Sequence, residues 1–148
     1  MNFPFISAFQ KVNANPVCYG NTGESYGAFN APKKGKVVRV KLVHVSGFLE
    51  NGGYSGKWGY KELKTLITNE AKQVLVPPSW IKRNKYNGFT LPGFDRDSPE
   101  LIFDHYDESF SVESGQALRV WGGEDLANAG ESNNGEQLSC IDIYFLYE

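Results

Sequence analysis

No apolar stretch in this 148-residue chain reaches the roughly 20 residues that a membrane-spanning helix needs. No membrane insertion is expected. Basic excess is also lacking: 15 Lys and Arg stand against 17 Asp and Glu, a net charge of -2. That leaves no electrostatic footprint for nucleic acid. The local cluster Lys82, Arg83 and Lys85 reads as a solvated loop. Histidine and cysteine number two each, His44 and His105, Cys18 and Cys140, too scattered for the paired spacing of a zinc site. Neither G-x-S-x-G nor H-E-x-x-H occurs, and Cys18 has no local partner to make it a thiolate. Both histidines sit inside strand-like runs, where a half-exposed strand residue is the expected role. Asp95 and Asp97, in GFDRDSP, are the carboxylate pair nearest to a glycosidase arrangement. Their setting reads as a turn, where Asp bonds its own backbone. No enzyme activity is expected. There is no N-x-Ser/Thr sequon. The start, MNFPFISAFQ, has no basic n-region and carries Pro4, so it reads poorly as a signal peptide.

Helical periodicity is scarce as well. The one candidate, YKELKTLITNEAKQVL, holds Thr65, Ile67 and Thr68, and β-branched residues favour a strand. It reads as a hairpin: ELKTLIT, a turn at 69–72, then QVLV, stopped by Pro77 and Pro78, which cannot continue a ladder. What remains is rich in aromatics (14%) and in Gly, with 41% hydrophobic residues, enough for one core in an all-β chain. GKVVRVKLVHVSGFL, ELIFDHY, SFSV, ALRVWGG and QLSCIDIYFLYE are the further strand candidates. In the first, Val38, Val40 and Leu42 share a face opposite Arg39 and Lys41, and Val43 and Val45 then change face, as at a β-bulge or a barrel corner. Segment 77–100 is punctuated by Pro and Gly and reads as loop. The expected fold is a single antiparallel two-sheet β-sandwich over 1–148, jelly-roll-like. The cysteines suit one disulfide in a secreted protein and two buried thiols in a cytosolic one equally well.

Between ALRVWGG and the last strand lies EDLANAGESNNG, which gathers Glu124, Asp125, Asn128, Glu131, Asn133 and Asn134 with few apolar residues. Such a loop is either a solvated turn or a set of oxygens converging on a hard cation. Calcium takes six to eight oxygens, and short Asp and Asn side chains can be gathered by a tight loop. Asp125 enters from one strand, Asn133 and Asn134 return towards the next, and carbonyls around 128–130 can turn inward between them. Gly130 and Gly135 permit the positive φ that this arch requires.

A second stretch, GFLENGGYSGKWG at 47–59, follows the strand KLVHVS. Together the two stretches resemble the small bacterial calcium-dependent galactose-binding lectins of the LecA type. In that family a strand runs into a Gly/Tyr turn closed by Lys-Trp-Gly, here Lys57, Trp58 and Gly59, and a turn carbonyl binds calcium. An Asp, a carbonyl and an Asn-Asn pair complete the metal site. The resemblance therefore implies a Ca2+ cofactor held by Asp125, Asn133, Asn134, a carbonyl of Ala129 or Gly130, and one of Gly52 or Gly53. It implies galactose-type sugars whose hydroxyls meet the calcium directly. Tyr54 and Trp80 are candidate ring-facing aromatics, and Glu131 and Asn128 candidate polar contacts; Trp58 reads as a packing residue. Two departures stand out. The Asp to Asn-Asn spacing is one residue longer than in the family, and the family's sugar-contacting His has no counterpart in YKELKTL. The C-terminal half, through KLVHVSG, RVWGGEDL and ESNNG…C-x-D-x-Y, also resembles secreted modules of cnidarians, lancelets and fish. That group implies a secreted, extracellular setting and gives no mechanism; the lectin resemblance implies that the partners are glycans on cell surfaces or glycoproteins. Weak single-site affinity implies several sites, hence a homo-oligomer or tandem modules. The alternative is a secreted structural or adhesive matrix domain in which calcium only stiffens loops.

Overall fold

The computed structural model describes residues 8–129 and 135–148. The architecture is all-β, two antiparallel sheets packed face to face. In chain order the elements are β1 (Gln10–Lys11), β2 (Val17–Tyr19), β3 (Gly27–Asn30), β4 (Gly35–Gly47), β5 (Leu49–Asn51), β6 (Tyr54–Gly56), β7 (Thr65–Asn69), β8 (Val74–Val76), β9 (Glu100–Asp104), β10 (Phe110–Val112), β11 (Ala117–Gly122), α1 (Gly123–Ala127) and β12 (Ser139–Tyr147). The first sheet is centred on β12 and β4. β1 and β2 both pair with β12, while β9 and β10 both pair with β4. The second sheet runs β3-β11-β7-β8, and β5 and β6 form a separate hairpin.

Period-two patterning builds the core. In β12, Ile141, Ile143 and Phe145 are buried, and Cys140, Asp142 and Tyr144 between them are only half-buried. Val40 and Leu42 of β4, Leu101 and Phe103 of β9, Leu66 of β7, and Leu118 and Val120 of β11 join them in one cluster. Polar groups inside it are satisfied. Trp121 Nε1 donates to Thr68 Oγ1 (2.8 Å), and the Tyr19 hydroxyl is bonded to Thr65 Oγ1 (2.6 Å). Burial raises the pKa of the Tyr19 phenol well above its ordinary value.

The expected bulge lies at Val45. Ile141 faces His44 while Cys140 faces Ser46, so Val45 is the extra residue, and it is turned out to solvent. The hairpin at 65–76 also forms, with Asn69 Oδ1 accepting from Gln73 N (3.0 Å) and Lys72 at φ 62. Cys18 and Cys140 form a disulfide between register partners of β2 and β12.

Three readings need correction. The segment after ALRVWGG is not loop alone but opens with the helical turn α1. His105 is fully buried rather than half-exposed, because it packs edge-on against Phe110. The strands β1, β2, β3 and β6 have no counterpart among the sequence candidates; each is two to four residues, too short for a period to register. No helix among the described residues is long and apolar enough to cross a membrane.

Candidate functional site

One end of the sandwich is closed by three connections: 20–25, the β5–β6 hairpin, and α1. The hairpin turns through Gly52 (φ 61) and Gly53 (φ 87), closed by the pair Asn51↔Tyr54. Positive φ at both central residues is what a two-residue hairpin compatible with strand twist demands, and Gly-Gly supplies it. α1 follows β11 because Gly122 and Gly123 leave room for close neighbours. A Cβ at Gly122 would press on Asn21 Oδ1 and the Gly20 carbonyl. The helix ends at Asn128 in the left-handed region (φ 53), whose N–H reaches Asp125 O.

Asn21, almost wholly buried, ties the pieces together. Its Nδ2 donates to the Glu50 carbonyl (3.1 Å), and its Oδ1 accepts from Glu124 N (3.1 Å). Asp125, 5% exposed, accepts Glu24 N at Oδ1 and Ser25 N at Oδ2, both at 2.7 Å. Ser25 Oγ donates to the Thr22 carbonyl (2.6 Å), so the 22–25 turn is fixed at both ends. Beside it Lys64 Nζ meets Glu124 Oε1 at 3.0 Å, with both side chains buried. The Gly123 N–H donates to the Lys64 carbonyl (2.8 Å), and Asn87 Nδ2 donates to the Gly123 carbonyl (3.1 Å).

The sequence candidates divide over this frame. Asp125 lies at the centre of the end cluster, buried and turned towards 24–25. Asn128 is exposed, and Ala129, half-buried, donates its N–H to the Glu124 carbonyl (3.2 Å). Gly130, Glu131, Asn133 and Asn134 lie outside the described residues. Gly52 and Gly53 are joined to α1 through Glu50 and Asn21. A Cβ at Gly135 would overlap the Glu50 carboxylate, so Gly135 lies against the hairpin. The two sequence stretches thus meet at one end of the sandwich.

Tyr54 is 57% exposed and stacks on Tyr60, with centroids 4.4 Å apart and planes 12° apart. The Arg96 guanidinium lies 4.6 Å from the centroid of Tyr60. The result is a fixed aromatic shelf beside the Gly-Gly turn. Trp58 is buried, its Nε1 donating to the Ser98 carbonyl (2.7 Å), as a packing residue should. Trp80 lies elsewhere. Its Nε1 donates to the carbonyl of Asp104 (3.4 Å), which faces Arg39 in β4. The Gly47↔Ser139 pair at the hairpin end is eight residues further along that strand, about 26 Å at ~3.3 Å per residue. Asn21 and Glu50 were not singled out from sequence. Nothing local marks a buried Asn that bridges residues 29 and 103 positions away.

The described members of the candidate set, the Asp125 carboxylate and the carbonyls of Ala129, Gly52 and Gly53, offer oxygens, the chemistry that calcium takes. Each Asp125 oxygen accepts one N–H bond, from Glu24 and from Ser25, and an ionised carboxylate has about four acceptor positions, so it can hold the turn and still face a cation. By donor chemistry alone, these described residues fit a hard cation. Among the described residues no three His, Cys, Asp or Glu side chains group as a metal site. His44 Nε2 is bonded to the Gly47 carbonyl (2.7 Å), Asp97 N donates to Asp95 Oδ1 (2.8 Å) in a turn, and neither suggests catalysis.

Searches for a matching protein-family profile and for a matching curated protein gave nothing. Among solved structures the chain is similar to AJLec from the sea anemone Anthopleura japonica, a lectin-like protein. The TM-score is 0.87 at 26% identity, over 96% of this chain and 98% of that one. The fold is thus lectin-like, and the similarity found is to an animal protein rather than to the bacterial LecA type.

Proposed function

We propose that this chain is a secreted, calcium-dependent carbohydrate-binding protein, with galactose-type sugars as its ligands. The observation that carries the reading is the likeness to AJLec over nearly the whole of both chains. Asp125, Asn133, Asn134, a carbonyl of Ala129 or Gly130, and one of Gly52 or Gly53 would hold the ion. Bound calcium supplies positions at which a pair of sugar hydroxyls replaces water. The chain's own part is to hold the hairpin and the α1–β12 connection together through Asn21, and to offer the Tyr54 face to the apolar side of a pyranose. Because Tyr54 is backed by Tyr60 and Arg96, little rotamer freedom remains to be lost on binding. The disulfide fits an oxidising, extracellular setting. Glycans of cell surfaces or glycoproteins are the partners, and oligomers would supply avidity.

The experiment is calorimetry with galactose, N-acetylgalactosamine, mannose and fucose, in calcium and again in chelator, beside a broad glycan array. Galactose-type binding should need calcium, and Tyr54→Ala should weaken it without moving the melting curve. Binding unchanged in chelator, or no glycan bound on the array, sinks the reading. The engagement of Asp125 with residues 24–25 favours one second reading, a matrix domain in which calcium only stiffens the end loops. Calcium-sensitive melting with no glycan bound would select it.

A further inference from the structure

A second site lies at the other end of the sandwich, built around Trp80. Two turns form it, 78–81 and 104–108. Ser79 donates both its N–H (2.8 Å) and its hydroxyl (2.7 Å) to Glu108 Oε2, and Trp80 Nε1 donates to the Asp104 carbonyl (3.4 Å). Ile81, buried just after Trp80, donates its N–H to the Pro78 carbonyl (3.0 Å) and anchors the first turn. Trp80 is thereby held with 53% of the residue exposed, whereas Trp58 and Trp121 are buried. The indole walls a cavity of about 340 Å³ whose other lining residues are Asp104, Asp107 and Glu108. That size lies at the lower end of ligand pockets, suited to one side-chain head group.

The charge here is unbalanced. Among the described residues none of the three carboxylates has an ion-pair partner within 4.0 Å, although four other Asp and Glu side chains pair with a Lys and Asp97 pairs with Arg96. The nearby guanidinium of Arg39, the β4 partner of Asp104, lies over the ring of Tyr106, 5.4 Å from its centroid. The two bonds from Ser79 hold the Glu108 carboxyl below the usual carboxylate range, so it stays ionised at neutral pH. An aromatic face rimmed by unpaired carboxylates attracts a cation by quadrupole and by charge together. The three donors of an ammonium match acceptors from three residues, and the slim stem of a lysine can lie along the indole. The planar fork of an arginine asks instead for one coplanar bidentate acceptor.

We propose that this pocket binds the ammonium group of a lysine side chain from a partner protein. It works without calcium and independently of the sugar site, so one chain could bind a glycan at one end and a basic peptide at the other.

The probe is Nα-acetyl-lysine methylamide, titrated into the intact protein in chelator at low salt, with tryptophan emission as readout. Trp80 is the exposed one of the three tryptophans, so emission reports this pocket. A saturable change with a dissociation constant on the order of millimolar is expected, weakened by salt. By calorimetry, which does not rely on the indole as reporter, Trp80→Ala should lose saturable binding, and Asp107→Asn should weaken it roughly threefold, a difference typical of an exposed ion pair. Both variants should keep the wild-type melting curve, since both side chains are exposed. The uncharged analogue Nα-acetyl-norleucine methylamide should not compete. Equal binding of that analogue, glucosamine binding as tightly as the lysine probe, or no saturable change each overturns the proposal. None of these outcomes depends on whether galactose binds.

Discussion

Asp125 is expected to act on stability before any metal is added, and this separates two roles that one residue would otherwise confound. Its carboxylate takes the N–H groups of Glu24 and Ser25 at 2.7 Å each, and only 5% of the residue is exposed. A hydrogen bond to a charged acceptor contributes about 1.5–3 kcal/mol net. Replacing Asp125 by Ala removes two. Glu24 is exposed, so its N–H can find water after a small movement, whereas Ser25 is half-buried and recovers less. The expected loss in chelator is therefore about 2–4 kcal/mol rather than the full sum. At about 3 °C per kcal/mol for a chain of 148 residues, the melting temperature should fall by roughly 6–12 °C. Asp125→Asn should lose less, because one amide oxygen can still accept. Urea denaturation in chelator and then in millimolar calcium is the assay. If calcium binds here, the gap between wild type and Asp125→Ala widens in calcium by RT ln(1 + [L]/Kd), about 2.7 kcal/mol at a hundredfold excess. A loss below about 0.5 kcal/mol in chelator would refute the clamp, since exposed substitutions without a structural role fall within that range. A gap that calcium leaves unchanged would refute the metal role and leave the clamp standing.

The buried pair Lys64–Glu124 leads to a second expectation: Lys64→Met alone should cost about 3–5 kcal/mol by removing the ammonium partner of a buried carboxylate. The double variant Lys64→Met/Glu124→Leu should recover much of that by equilibrium unfolding, and additive losses would count against the pairing. The Cys18–Cys140 bridge closes a span of 122 residues, so Cys18→Ser/Cys140→Ser should lose on the order of 2–5 kcal/mol. Alkylation without reductant should add nothing to the native mass, and two added groups would exclude the bridge. Burial holds the His105 pKa below 6.5, so between the folded and unfolded values the unfolded chain binds more protons. Stability from this group is full above about 6.5 and declines as pH falls towards the lower folded value. His105→Phe should lessen the drop in stability between about pH 7.5 and 5.5, and an unchanged slope would show that other groups carry it.

Sequence pattern was enough for the long strands because each is long enough for a period to repeat. β12 alternates Ile141, Ile143 and Phe145 with half-buried residues, and β4 does the same through Val40 and Leu42. The β7–β8 hairpin announced itself through Asn69 and the Pro77-Pro78 stop. Legibility failed where an element's cause is non-local. β2 is a strand because β12 lies beside it, and three residues carry no period of their own. α1 is five residues long, and it is held by contacts from Asn21, Lys64 and Asn87 rather than by helix propensity. In the candidate site, the Gly-Gly turn and Asp125 could be singled out by residue type. The side to which Asp125 turns could not, since that depends on N–H groups 100 and 101 positions away. Trp80 has the residue type of a sugar platform but lies beside Asp104, away from the hairpin; a residue type carries no information about which end of a sheet it occupies.

The two ends of the sandwich differ in how they are held, and this bears on how a binding function could be kept apart from stability. The hairpin end is closed by buried polar groups: Asn21, Asp125 and the Lys64–Glu124 pair. Well-packed apolar residues could close a sheet end with less desolvation cost, since a buried ion pair often breaks even against them. Polar clamps have a different property, which is that each is satisfied in one arrangement only. Asn21 can meet both the Glu50 carbonyl and the Glu124 N–H only if the hairpin and α1 keep one relative position. An apolar plug would tolerate a shift of an ångström; two hydrogen bonds in opposite directions from one amide would not. A loop cluster meant to present several oxygens to one point needs that fixed position more than it needs additional stability. Asn21→Leu is thus the substitution that separates the two. It keeps side-chain volume and apolar burial but leaves the Glu50 carbonyl and Glu124 N–H without this partner, at about 1–3 kcal/mol for each group left unsatisfied. On the lectin reading its sugar affinity should fall further than that of a core variant of equal stability loss, such as one at Leu118 in β11. Equal affinity in two such variants matched for melting temperature would show that the polar clamp does no positioning.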